Sequence, residues 1–186
     1  MKILFPIANA ALLLLTGLLM ASCTAPRAVM LSPSAPSTPA RFPEMTVQNL
    51  AGKSTRFPSG FPGERTLLLI AFEREQQETL DEWNRRLGLS RPGGAAWLEL
   101  PVIPDPGVFL RWFIDTGMKS GIPAPEIRSR VYTIYTPRET FVDRLGLPNC
   151  REVHLAAADR AGRILGFVSG PWTPDRESKL RTLLDR

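Results

Sequence analysis

The chain has 186 residues, 44% of them hydrophobic and 22% charged, with a formal net charge of +5. That length suits one domain with appendages, and the apolar share suits one core. The basic residues are scattered, as at Arg85 and Arg86, Arg128 and Arg130, or Arg176 and Arg181, with no run that would track a phosphate backbone, and the two cysteines, Cys23 and Cys150, are too few for a disulfide framework.

The N-terminus reads MKILFPIANAALLLLTGLLMASC. Lys2 supplies a positive start, Ile3 to Met20 are mostly apolar, and Ala21 and Ser22 are small. This is the pattern of a secretory signal peptide over residues 1–22. The ending LMASC resembles a bacterial lipobox, in which cleavage precedes the cysteine and that cysteine receives the lipid. The resemblance implies lipidation at Cys23 and an envelope protein anchored in the membrane and facing the periplasm. Thr24 takes the place where an Asp would resemble the inner-membrane retention signal, so the outer membrane is favoured. Met20 departs from the commoner Leu, Val or Ile. An exported chain meets no nucleic acid, and the basic surface is left for solvent, anionic lipid or an acidic partner. Residues 23–43 follow, rich in Pro, Ser, Thr and Ala, and read as a tether.

Residues 44–186 carry the folded pattern. Residues 45–56 read as a β-hairpin with Gly52 in the turn. Thr66–Phe72 is a continuous apolar strand suited to burial on both faces. Glu75–Leu87 is an amphipathic helix with Leu80, Trp83 and Leu87 on one face and i, i+4 pairs Asp81/Arg85 and Glu82/Arg86 on the other, ended by Gly88. A strand is expected at 95–103. A helix follows at 106–117, with Phe109, Trp112, Phe113 and Thr116 on one face, and then a loop forced by Gly117, Gly121, Pro123 and Pro125. Val131–Thr136 reads as a strand, and Thr136-Pro137-Arg138-Glu139 as a capping box for a short helix that buries Phe141, Val142 and Leu145. Two strands, 153–158 and 164–169, flank a turn in which Gly162 needs positive φ. A last helix starts at Thr173-Pro174-Asp175 and buries Leu180, Leu183 and Leu184.

This order looks like the thioredoxin-like fold, a three-layer α/β sandwich with a mixed central sheet, an N-terminal hairpin and the extra strand–helix insertion of the peroxiredoxin-like branch. The segments LLLIAFEREQQETLDEW, ELPVI, Thr116-Gly117-Met118, YTIYTPRETFVDRLGLP and ADRAGRILGFVSG are similar to the family of the mitochondrial ATP-synthase assembly factor and its uncharacterised bacterial relatives. That resemblance implies a role in assembly or chaperoning.

Redox members of the wider fold keep a cysteine just after the first core strand, where the helix N-terminus favours the thiolate. Here that corner holds Glu73, Arg74, Glu75, Gln76 and Gln77. They also keep a cis-proline at the start of the strand before the final hairpin, where this chain has Glu152 and Val153 and its nearest proline is Pro148. Thiol–disulfide exchange of the CxxC type is therefore excluded on composition. Two readings of the corner stay open: ordinary helix-start chemistry, or a polar binding face made by Glu73, Glu75, Gln76 and Gln77. Cys150 is either a small apolar residue or a reactive thiol beside Arg151. The lone histidine, His154, would lie about 13 Å from Cys150 along an extended chain, too far for a nucleophile–base pair. No metal site and no cofactor is expected. The expected function is binding or assembly of an envelope protein partner, with a single-thiol redox enzyme or sensor at Cys150 as the alternative.

Overall fold

The computed structural model describes residues 40–91 and 93–185. The expected signal peptide, Cys23 and most of the tether lie outside the described residues. The domain begins earlier than the expected boundary at 44. Phe42 N donates to Gly162 O at 2.7 Å, Ile164 N donates to Ala40 O at 2.8 Å, and the Phe42 ring is buried. Residues 40–43 are thus the first part of the core and not the end of the tether. One aromatic residue among Pro, Ser and Ala escapes a compositional reading.

The strands are β1 (Met45–Gln48), β2 (Ser54–Phe57), β3 (Arg65–Ala71), β4 (Trp97–Ile103), β5 (Ile134–Tyr135), β6 (His154–Asp159) and β7 (Ile164–Ser169). The helices are α1 (Gln77–Leu87), α2 (Val108–Gly121), α3 (Pro125–Arg128), α4 (Arg138–Leu145) and α5 (Pro174–Asp185). β1 and β2 form the expected hairpin, with Gly52 at φ +91° in its turn. The other five strands form one mixed sheet in the order β5-β4-β3-β6-β7. β3, β4 and β5 run parallel, while β6 is antiparallel to β3 and β7 to β6.

β3 is central because its sequence has two apolar faces. Leu67, Leu69 and Ala71 pack on one side with Trp97, Leu155 and Val168, against Leu80 and Trp83 of α1 and Leu180 of α5. Leu68 and Ile70 pack on the other with Leu98, Leu100 and Ala156, against Phe57 of the hairpin and Phe141, Val142 and Leu145 of α4. Leu67 to Ile70 are all 0% exposed, and burial of each contributes about 1.5–3 kcal/mol. The result is helix, sheet, and helix with hairpin: the expected three layers.

Four local expectations are corrected. α2 runs through Gly117 to Gly121, because a lone Gly weakens a helix by about 1 kcal/mol without ending it. The expected strand 131–136 shrinks to β5, with Val131 joined to Glu99 as an isolated bridge. The capping box at Thr136 does not form. Thr136 N still donates to Ile103 O at 3.0 Å as sheet, so Pro137 becomes the N-cap, with no side-chain cap. The cap of α5 does form, through Thr173 Oγ1 and Arg176 N at 3.3 Å. In α5 Leu180 is buried, whereas Leu183 and Leu184 are only half-buried.

Gly162 has φ +80°, and a Cβ there would lie 2.7 Å from the Pro58 ring. Gly162→Ala is expected to lose roughly 2 kcal/mol or more, from left-handed strain and the clash together. Urea unfolding followed by circular dichroism reads this; an unchanged midpoint would contradict it.

Candidate functional site at the strand–helix corner

β3 ends at Ala71 and the chain must leave the sheet there. Phe72 is still buried, so its N–H needs a partner. Gln76 provides one from a single 3-10 turn, Arg74–Gln76, that precedes α1. Its Oε1 accepts from Phe72 N at 2.8 Å, and its Nε2 donates to Cys150 O at 3.4 Å. Gln76 is buried, so it braces the corner to the loop before β6. Glu73, Glu75 and Gln77 are exposed. Glu73 pairs with Arg138 Nη1 at 3.2 Å. The corner, the start of α4 and the loop before β6 therefore meet at one place.

Cys150 is half-buried in that loop. Its thiol lies 4.0 Å from Glu139 Oε1, within reach of a weak S–H donor. His154 is fully buried. The extended-chain distance from Cys150 to His154 does not apply, because the chain folds back: His154 Nε2 is 2.7 Å from Asn149 O. A carbonyl can only accept, so Nε2 carries the proton, and Nδ1 accepts from Ser169 Oγ at 2.7 Å. Burial pushes the His154 pKa below its usual value. Both ring nitrogens are engaged in hydrogen bonds, which leaves none free to take a thiol proton. The residue before β6 is Val153, buried. Among the described residues no group of three His, Cys, Asp or Glu side chains could hold a metal ion.

Two features escaped the sequence reading. Arg138 and Glu139 open α4 beside the corner, although the sequence marks them only as helix start. Glu99 sits in β4 among apolar neighbours, opposite Leu69 of β3, and is buried. Gln77 Nε2 donates to Glu99 Oε1 at 3.2 Å and also to Asp81 Oδ1 at 3.1 Å. Asp81 thus serves Gln77, while the expected pair Glu82/Arg86 forms at 3.4 Å. Burial pushes the Glu99 carboxyl up to about 7, against a smaller opposing pull from the Gln77 amide. A carboxylate in a strand otherwise made of Trp, Leu, Pro, Val and Ile was the available signal.

No protein-family model matches the chain, and none of the curated proteins matches it. Solved structures do. A candidate electron transport protein from Aquifex aeolicus VF5 superposes with a TM-score of 0.54 at 14% identity, over 80% of this chain and 96% of that one. BsSco, a member of the Sco family of cytochrome c oxidase assembly proteins, gives 0.52 at 10% identity, over 78% and 92%. A candidate protein disulfide isomerase from Bacteroides thetaiotaomicron gives 0.51 at 12%, over 78% and 89%. At such identities the likeness defines the fold alone. The chain has a thioredoxin-like fold, of the type shared with redox and thiol–disulfide proteins.

Two outcomes follow. Gln76→Ala leaves the Phe72 N–H unpaired in the interior and is expected to cost about 1–3 kcal/mol, read as a lower urea midpoint. For Glu99, the folded-state pKa lies above the unfolded one of 4.5, so the folded state holds the extra proton. Its contribution is full below about pH 4.5, falls as pH rises, and is gone by about pH 7. Glu99→Gln should therefore gain stability over wild type on going from pH 4 to pH 8, by a few kcal/mol at most. A stability difference between the two that is flat with pH would refute this.

Proposed function

We propose that this chain is a lipid-anchored envelope protein, facing the periplasm from the outer membrane, that binds or helps to assemble a protein partner without thiol–disulfide chemistry. The observation that carries this reading is the sulfur-free corner, where Gln76 braces the strand end and Glu73 and Glu75 stay exposed. Redox members of the fold use a thiolate at that place. Cys150 alone cannot replace a CxxC pair, since a dithiol needs a second sulfur to resolve the mixed disulfide. The assembly role draws support from the motif resemblance to the mitochondrial ATP-synthase assembly factor family. It also draws on BsSco, described as belonging to a family of assembly proteins. The anchor rests on the sequence at Cys23.

The purified chain is expected to leave insulin disulfides intact and to show no peroxide turnover, with Cys150→Ser indistinguishable from wild type. Robust insulin reduction would sink the reading. Turnover that disappears in Cys150→Ser would put the single-thiol alternative in its place. A photocrosslinker at Glu75 should trap one defined envelope protein, and a crosslinker at the exposed Arg160 should not. Cys23→Ala should abolish acyl labelling in cells.

A further inference from the structure

α2 carries its aromatic side chains on its outward face. Arg111, Ile114, Asp115 and Met118 are its half-buried residues, and they fall at i, i+3, i+4 and i+7. This is the stripe a helix normally fills with apolar side chains. Here two of the four, Ile114 and Met118, are apolar, and the other two, Arg111 and Asp115, are held by polar contacts to the preceding loop and to the sheet edge. Arg111 Nε donates to Asp105 Oδ1 at 2.8 Å, and its guanidinium lies 5.0 Å from the Tyr135 ring centre. Tyr135 Oη donates to Asp115 Oδ1 at 2.9 Å, and Thr133 Oγ1 donates to the same oxygen at 3.2 Å. The apolar side faces out: Phe109 is 80% exposed, Trp112 64% and Phe113 65%, with Val108 and Leu110 beside them. No residue of α2 is fully buried.

We infer that the outward face of α2 is a membrane-docking surface that lays Phe109, Trp112 and Phe113 into the headgroup–acyl boundary of the bilayer. This rests on the anchor reading at Cys23. Roughly 17 residues separate Cys23 from Ala40, and such a segment reaches at most about 60 Å. A domain of this size is ordinarily about 40 Å across, so every face of it can touch the bilayer that holds the lipid. α2 is the face with matching chemistry. Val108, Phe109, Trp112, Phe113, Thr116 and Ser120 carry no charge. Trp and Phe are the residues of the interfacial zone, and an apolar helical face can lie in its plane. Lys119 is exposed at the border of the face, where its ammonium can reach headgroups. Left in water, so many adjoining aromatic residues would promote association.

Trp83 and Trp97 are fully buried and Trp172 half-buried, so Trp112 is the tryptophan that reports on α2. The full chain is reconstituted into phosphatidylethanolamine–phosphatidylglycerol vesicles with brominated acyl chains. Wild type is expected to lose fluorescence that Trp112→Phe does not lose. The pair Phe109→Ser and Phe113→Ser should remove this quenching while near-UV circular dichroism and acyl labelling stay unchanged. If the chain is acylated and vesicle-bound but Trp112 is not quenched, the α2 inference is overturned and the anchor reading stands. If Cys23 carries no acyl chain, the anchor reading fails by itself. Quenching of Trp112 on added vesicles then still supports the α2 surface, and its absence overturns it. A concentration-dependent dimer that shields Trp112 from aqueous acrylamide without lipid, and leaves it unquenched on vesicles, would assign the face to a second copy and overturn the inference.

Discussion

The whole architecture depends on β3 being buried on both faces. Four consecutive side chains, Leu67 to Ile70, have no exposure. A strand of that kind needs neighbours on both edges for its backbone and a layer on each side for its side chains. β4 and β6 supply the edges; α1 with α5, and α4 with the hairpin, supply the layers. The strand must also stop, because Phe72 is the last buried residue before a run of charged and amide side chains. The corner that follows is thus a consequence of the core. Its backbone N–H at Phe72 has left the ladder and has no water to turn to.

Gln76 answers that need with a side chain that accepts at one end and donates at the other. A cysteine at such a corner draws its chemistry from being exposed and unbraced beside helix N–H groups. Gln76 does the reverse: it is buried and spans from the strand end to the carbonyl of Cys150. The loop it reaches is held a second time by His154, which grips Asn149 O with one nitrogen and Ser169 with the other. The Phe72 and Phe167 rings lie edge-on to the imidazole. The frame around the corner is therefore rigid, and its exposed groups, Glu73 and Glu75, are presented without side-chain sulfur. That combination suits recognition, for which a preorganised surface loses little entropy on binding.

Much of this was legible in the chain. The apolar run of β3, the spacing of Leu80 and Trp83 in α1, and Gly52, Gly88 and Gly162 at positive φ all announce themselves locally. What escaped depends on partners far away in sequence. Periodicity put Phe109, Trp112 and Phe113 on one face of α2, but it cannot tell which face meets the sheet. That was settled by Asp105, Thr133 and Tyr135, which offer Arg111 and Asp115 better partners than an apolar surface would. Glu99 is marked in WLELPVI as a carboxylate among apolar residues, but its depth follows from the pairing of β4 with β3 and its partner is Gln77, both far away in sequence. The extended separation of Cys150 and His154 does not hold because the loop reverses and brings Asn149 O to 2.7 Å from His154 Nε2.

Buried Glu99 and the exposed aromatic residues of α2 both depart from the usual partition of polar and apolar groups. Natural sequences depart from local consistency mainly where function demands it. Topology also relates α2 to the corner. β3, β4 and β5 are parallel, so their C-terminal ends lie at one end of the sheet. The corner follows β3, the loop into α2 follows β4, and α4 with Arg138 and Glu139 follows β5. The exposed aromatic residues sit in the first two turns of α2, on that same end. Ligand sites of parallel sheets collect there because the connections diverge from it. A bilayer contacting α2 would then hold the Glu73–Glu75 corner near the membrane surface. If the corner binds a protein, as proposed, the accessible part of that partner would also have to lie close to the bilayer.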